Sequence, residues 1–261
     1  MDLGIKNKIA FVTGGSKGIG KECVKFLAKE NVKVAFCGRN EIDLKKLQDK
    51  LKNQGLDTFG FVADLSIEEN RKLAFKEVNE KYGKIDILVN NVGGGNESKG
   101  GSVIVQSQED FKKVFDLNFY VHMELMKLVI PDMKKNKWGR VINISSVNGR
   151  EYMGRSAAYM TAKSALIAIT KDAAVELIKY GICVNSIAPG MILHEGSGWE
   201  EFIKNNPKNK VDDFIKNNLP SEKFGWPESV GATVAYLASV HADLISGACL
   251  NIDGAQTKSL I

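Results

Sequence analysis

Ile9-Ala10-Phe11-Val12-Thr13-Gly14-Gly15-Ser16-Lys17-Gly18-Ile19-Gly20 is the stretch that decides the fold. An apolar, β-prone run passes straight into a glycine-rich turn, and beyond the turn Ile19, Cys23 and Leu27 recur at helical spacing. A strand, a glycine turn and a helix in that order form a phosphate-binding unit. Glycine lets backbone approach a pyrophosphate closely, and the helix start supplies free N–H groups with partial positive charge. The spacing is GxxxGxG rather than GxGxxG. Gly14, Ser16, Lys17, Gly18, Ile19 and Gly20 are therefore candidate dinucleotide contacts.

Outward from this unit the same alternation continues. Short apolar runs at residues 33–37, 58–62, 85–90, 140–144, 183–188 and 249–252 join 9–13 as strand candidates, with helical patterns between them. One such pattern covers 109–133 and carries Phe111, Val114, Phe115 and Leu125 at helical spacing; another covers 157–180. Strand–helix alternation predicts an α/β fold: one doubly wound Rossmann-type domain over residues 1–261, with a parallel sheet of about seven strands and helices on both faces. Ligands of such folds bind beyond the carboxyl ends of the strands. Residues 190–227 are the least regular segment, with Gly196-Ser197-Gly198, Pro207, Pro220 and a helical-looking 199–205. A long insertion there reads as a substrate lid.

Composition narrows the function classes. Hydrophobic residues make up 44% and charged residues 26%, as in ordinary globular proteins. No apolar run reaches the ~18 residues of a membrane span, and the first residues lack a signal-peptide core, so a cytoplasmic protein with no membrane partner is expected. The net charge of +5 comes from cations interspersed with acids, without a basic block, which argues against nucleic acid. The three histidines and the cysteines Cys23, Cys37, Cys183 and Cys249 show no metal-ligand spacing; buried free thiols and no metal are expected.

Which dinucleotide binds depends on the end of the second strand. An acid there would accept from a ribose 2′-hydroxyl, but the sequence reads Cys37-Gly38-Arg39-Asn40. Arg39 and Lys17 instead suit a 2′-phosphate, which predicts NADP(H). The candidate reacting pair is Tyr159 and Lys163, four residues apart and so on one helix face. Bringing a phenol from about 10 to about 7 takes about 4 kcal/mol, which an ammonium at ~4 Å supplies at an effective dielectric of ~20. Ser145 and Ser146 follow the strand at 140–144, where a hydroxyl can donate to a carbonyl oxygen. Asn118 falls on the apolar face of the 109–133 helix, as a core hydrogen-bonding group or as the holder of a water linking Lys163 to solvent.

Taken together these motifs resemble the short-chain dehydrogenase/reductase family over essentially the whole chain: the glycine turn, Asn90-Asn91-Val92-Gly93, Asn118, Ser146, Tyr159-Met160-Thr161-Ala162-Lys163 and Pro189-Gly190. The resemblance implies a catalytic tetrad of Asn118, Ser146, Tyr159 and Lys163. Ser146 is favoured over Ser145 because it lies 13 residues before Tyr159, the family's usual separation. Further implied cofactor contacts are Asp64 and Leu65 beside the adenine, Asn91 and Gly93 beside its ribose, and Tyr159, Lys163, Pro189, Gly190 and backbone at Ile192 near the nicotinamide. Implied too are a homotetramer built on the helices near 107–133 and 157–180, and reduction of a ketone to a secondary alcohol. The nearest likeness is to 3-oxoacyl-carrier-protein reductases, so an acyl thioester is one candidate substrate. Alternatives are an alcohol, sugar or polyol dehydrogenase working oxidatively, and a non-catalytic dinucleotide sensor, which the intact tetrad disfavours. Two places depart from the family pattern: His194 stands where Thr is common, and Asp253-Gly254-Ala255 where Asp-Gly-Gly is usual. Glu151–Ser156 and residues 191–220 should set substrate choice, the latter mixing Trp199, Phe202 and Phe214 with lysines that would suit an apolar substrate with an anionic tail. The glycine-rich 93–102 loop lies beside the expected cleft with no role read from it.

Overall fold

The computed structural model describes residues 1–94, 100–154 and 156–260. Seven parallel strands form one sheet in the order β3-β2-β1-β4-β5-β6-β7. They are β1 (Ile9–Val12), β2 (Lys33–Gly38), β3 (Thr58–Val62), β4 (Ile87–Asn90), β5 (Gly139–Ile144), β6 (Ile182–Pro189) and β7 (Cys249–Ile252). Every residue of β4, β5 and β6 is buried, as expected for parallel strands covered on both faces. Alternate side chains serve two cores. Ala10 and Val12 join a cluster with Leu27, Leu44, Val230 and Leu237 on one face, whereas Phe11 joins Val78, Leu125, Val129 and Leu177 on the other.

The first face is covered by α1 (Gly18–Lys29), α2 (Glu41–Lys52) and α9 (Pro227–Ala238); α3 (Glu68–Tyr82), α5 (Val121–Asn136) and α6 (Ala157–Leu177) cover the second. Starts of these helices are written into the sequence. Asn40 caps α2 by accepting from the Asp43 N–H at 3.1 Å, Ser156 caps α6, and Pro227 opens α9 where its missing N–H costs nothing. Strand order reverses direction between β1 and β4, so a crevice opens at their carboxyl ends, where Gly14 and Asn91 lie.

Three expectations need correction. The helix read as continuous over 109–133 is α4 (Gln108–Phe115), a π-helical turn at Asp116–Tyr120, then α5. A π turn inserts one residue into the ladder, and Asn118 sits in it with its side chain fully enclosed. The segment 190–227 is more regular than its composition suggests. It forms α7 (Gly198–Lys204) and α8 (Lys208–Asn218), closes back through a bridge between Ile192 and Gly225, and packs around Trp199, Phe202, Phe214 and Phe224. Of the four free cysteines, Cys249 is only partly buried, because β7 is the edge strand. No described helix is long and apolar enough to cross a membrane, and no described residues cluster as a metal site.

Candidate active site

A cleft of about 600 Å³ runs along the carboxyl ends of the strands, lined at one end by Lys17, Arg39, Asp64 and Leu65 and at the other by Ser146, Tyr159, Lys163 and Pro189. Gly14, Ser16, Gly18, Ile19, Asn91, Gly93, Gly190 and Ile192 line it between. Of the proposed cofactor contacts only Gly20 is absent from its wall. A Cβ there would fall 2.2 Å from the Gly14 carbonyl oxygen and 2.5 Å from Asn91 Nδ2, so Gly20 is needed for the turn to pack on α1 rather than to touch a ligand. Asn91 fastens the same turn by donating from Nδ2 to the carbonyls of Thr13 (2.9 Å) and Gly14 (3.1 Å).

This cradle suits a dinucleotide diphosphate. Lys17 precedes α1 without capping it through its side chain, and the first turn of α1 holds no acid, so the N–H groups at this helix start are open to an anion. At the far end the ammonium of Lys17 pairs with Asp43 at 2.9 Å, which raises its pKa. Burial acts to raise the Asp64 carboxyl, but the Ser66 hydroxyl and N–H and the Arg39 guanidinium outweigh it and hold the carboxyl below its usual range. No acid ends β2, so nothing on that strand would repel a 2′-phosphate beside Lys17 and Arg39.

At the reacting end the two serines divide their work. Ser145 donates to the Lys163 carbonyl at 3.0 Å and ties β5 to α6. Ser146 opens on the cleft beside Tyr159, and its hydroxyl accepts from the Asn148 N–H at 3.2 Å. Lys163 is buried, with Nζ donating to the Ile144 carbonyl at 2.9 Å and lying 5.7 Å from the Tyr159 ring centre. Burial pushes the phenol up, with Ser146 opposing, and pushes the Lys163 ammonium down to about 7. In the protein alone, then, the pair tends toward neutrality. Spacing predicted their adjacency but not this desolvation.

Asn118 meets the site across Gly93. Its Oδ1 accepts from the Gly94 N–H, and its Nδ2 donates to the carbonyls of Gly94 and Val114, all at 3.0 Å. A Cβ on Gly93 would come within 2.7 Å of Asn118 Oδ1 and 3.2 Å of Lys163 Nζ, at a φ of +153°. The carboxamide is thus engaged with backbone. Sequence reading missed His122, which is fully buried and donates from Nε2 to the Val92 carbonyl at 2.7 Å. Burial, aided by the Lys163 ammonium, pushes its pKa down to about 3. A histidine on the inward face of an apolar helix was the one signal for it.

A second cavity adjoins the reacting end, shared through Ser146, Tyr159, Gly190 and Trp199. Its walls are Met153, Met191, Trp199, Phe202 and Phe214, with Asn148, Ser156 and Gln256 as polar groups. No described lining residue is charged, so the expected lysine contact to an anionic tail is not made there. Lys204 and Lys208 pair instead with Glu200 and Asp212 along their own helices. The 93–102 loop borders this cavity through Gly100 and Gly101; residues 95–99 of it lie outside the described residues.

The short chain dehydrogenase family model matches residues 8–199. The chain belongs to the short-chain dehydrogenase family. It is an oxidoreductase that acts between CH–OH and carbonyl groups with NAD(P). A 3-oxoacyl-[acyl-carrier-protein] reductase of Staphylococcus epidermidis is 31% identical over 250 residues, covering 95% of this chain and 98% of the relative. An uncharacterised oxidoreductase of Thermotoga maritima is 29% identical, over 98% and 99% of the two chains. Among solved structures, L-sorbose reductase from Gluconobacter frateurii, complexed with NADPH and L-sorbose, superposes with a TM-score of 0.92 at 28% identity over the whole of both chains. An actinorhodin polyketide ketoreductase with NADPH gives 0.88, also at 28% identity, over 97% of this chain and 98% of that one.

Proposed function

We propose that this dehydrogenase is an NADP(H)-dependent carbonyl reductase that converts a ketone to a secondary alcohol. The observation that carries the reading is one cleft with Lys17 and Arg39 at its adenosine end and Ser146, Tyr159 and Lys163 at its other. NADP(H) supplies the hydride and, when oxidised, a positive charge beside Tyr159. Ser146 holds the substrate carbonyl oxygen, and Tyr159 gives it a proton. Lys163 binds the nicotinamide ribose, and its ammonium favours the phenolate that Tyr159 leaves behind. Asn118 stands behind Lys163, where a relay water would return the proton. The segment 190–227 serves as the lid over a single catalytic unit. The similar polyketide ketoreductase and L-sorbose reductase structures both hold NADPH, which supports the choice of cofactor.

Substrates are ketones with an apolar body, the 3-oxoacyl thioester being the first to test, because Trp199, Phe202, Phe214 and two methionines wall the adjoining cavity. A homotetramer is proposed through the faces of α5 and α6, where Tyr120, Val175 and Ile178 stand exposed near or on those helices. The test is NADPH oxidation followed by absorbance against a panel of 3-oxoacyl thioesters, cyclic and aryl ketones and ketoses, repeated with NADH. Turnover of an apolar ketone with NADPH well above NADH supports the reading. Faster turnover with NADH, or only with a polyol and the oxidised cofactor, would overturn it.

A further inference from the structure

His194 follows β6 at the entrance to the lid, and its ring lies across the phosphate turn. A Cβ on Gly18 would meet Cε1 and Nε2 at 2.7 Å and Nδ1 at 2.9 Å. Gly18 opens α1 with φ +53°, so nothing separates the imidazole from the helix start. The ring also lines the cleft. Its Nδ1 lies 2.9 Å from the Glu195 carbonyl oxygen, which can only accept, so Nδ1 carries a proton. Nε2 is then bare in the neutral ring and becomes a donor in the imidazolium.

We propose that His194, as imidazolium, is a pyrophosphate ligand of the bound dinucleotide: its Nε2–H donates to a phosphoryl oxygen above the start of α1 and ties the lid to the cofactor. The proposal rests on the NADP(H) reading above. A phosphoryl oxygen at this helix start meets backbone N–H groups from below and an imidazolium from the lid side, a charge-assisted arrangement that a neutral hydroxyl cannot match. Cofactor affinity is therefore linked to the protonation of His194.

Other ionisable groups face this place. Glu195 and Glu200 lie on the lid; the Glu200 carboxylate is held below its usual range by the Gly196 N–H, by Lys204 and least by His194. Lys17 comes from the phosphate turn, held by Asp43 of α2, and Lys163 and Tyr159 lie farther along the cleft. Lys163 titrates near 7 and would itself favour cofactor at lower pH. It is unchanged in a His194 variant, so comparing pH ratios between proteins isolates the histidine.

The experiment measures Kd for NADPH by calorimetry at pH 6 and pH 8 with the full chain, His194→Asn and His194→Thr, and repeats it with adenosine 2′-monophosphate, which has no pyrophosphate. For NADPH, the affinity ratio between pH 6 and pH 8 should be roughly tenfold larger in the wild type than in either variant, the size of one charge-assisted hydrogen bond. For the monophosphate the three proteins should share one ratio. Equal NADPH ratios in all three proteins would overturn the proposal while leaving the cofactor assignment intact. Absence of NADPH binding to the wild type at either pH would overturn both.

Discussion

Arg71 offers the sharpest test of how the adenosine end of the cleft is held. It is enclosed, and it donates from Nε to the Leu65 carbonyl at 2.9 Å, from Nη2 to Asp116 at 2.8 Å and more weakly to the Ser66 carbonyl, and from Nη1 to Glu124 at 3.0 Å. One guanidinium thus joins the loop after β3, which carries Asp64 and Leu65, to the π turn and to α5. Arg71→Met keeps the stem and removes these bonds. The buried Leu65 carbonyl is left without its donor, at about 1–3 kcal/mol. Asp116 and Glu124 are 40% and 32% exposed and can rehydrate, so each lost ion pair costs only about 0.5–1 kcal/mol. The sum is about 2–5 kcal/mol, read by urea unfolding followed by circular dichroism. Kd for NADPH should rise several-fold, because the adenine-side loop loses its anchor, while kcat at saturating cofactor stays within about twofold. A loss below about 1 kcal/mol, or a fall in kcat with unchanged Kd, would refute this account of Arg71.

Other consequences can be checked alongside. Gly93→Ala places a methyl group against Asn118 Oδ1 and Lys163 Nζ; kcat should fall tenfold or more with the fold retained by circular dichroism. Ala255 sits at φ +63°, a left-handed conformation that costs a side chain about 1–2 kcal/mol. Ala255→Gly should stabilise by about 0.5–1 kcal/mol once the extra freedom of the unfolded glycine is counted, and a melt that falls instead would count against it. His122 is neutral in the fold with its pKa pushed down to about 3 by burial, so the unfolded chain binds more protons between about 3 and 6.5. Stability from this group is full above pH 6.5 and is lost as pH falls toward 3, with a slope approaching about 1.4 kcal/mol per pH unit. His122→Gln should flatten that limb of the stability curve, and an unchanged slope would show that other groups set it.

Much of the architecture was legible because most strands are compact apolar runs rich in β-branched or aromatic residues, and a strand buried on both faces, such as β4, needs no finer pattern. The turn at Gly14–Gly20 was legible for a similar reason, since glycine at those steps has few other uses after a strand. What escaped was whatever depends on a third dimension. Asp116-Leu117-Asn118-Phe119-Tyr120 has ordinary helical spacing, so the π turn that rotates Asn118 toward Gly94 left no mark. α8 is rich in Lys, Asn and Asp, and only Val211, Phe214 and Ile215 betray its packed side. Gln256 reaches the substrate-side cavity because the turn at Asp253–Gln256 folds the chain's end back onto β6, where Gln256 accepts from the Met191 N–H at 3.2 Å. The Tyr159–Lys163 spacing placed the pair together, but how strongly burial acts on both is set by β5 and α6 around them.

The central claim is that Tyr159 moves the proton in an NADPH-linked carbonyl reduction. Tyr159→Phe keeps the ring in its packing against Val114, Ala158 and Ala162 and removes only the hydroxyl. The deciding measurement is kcat/KM of this variant with the best ketone, beside its Kd for NADPH. The account predicts a fall of about 100- to 10,000-fold in kcat/KM with Kd changed less than about threefold; turnover within about threefold of the wild type would contradict it.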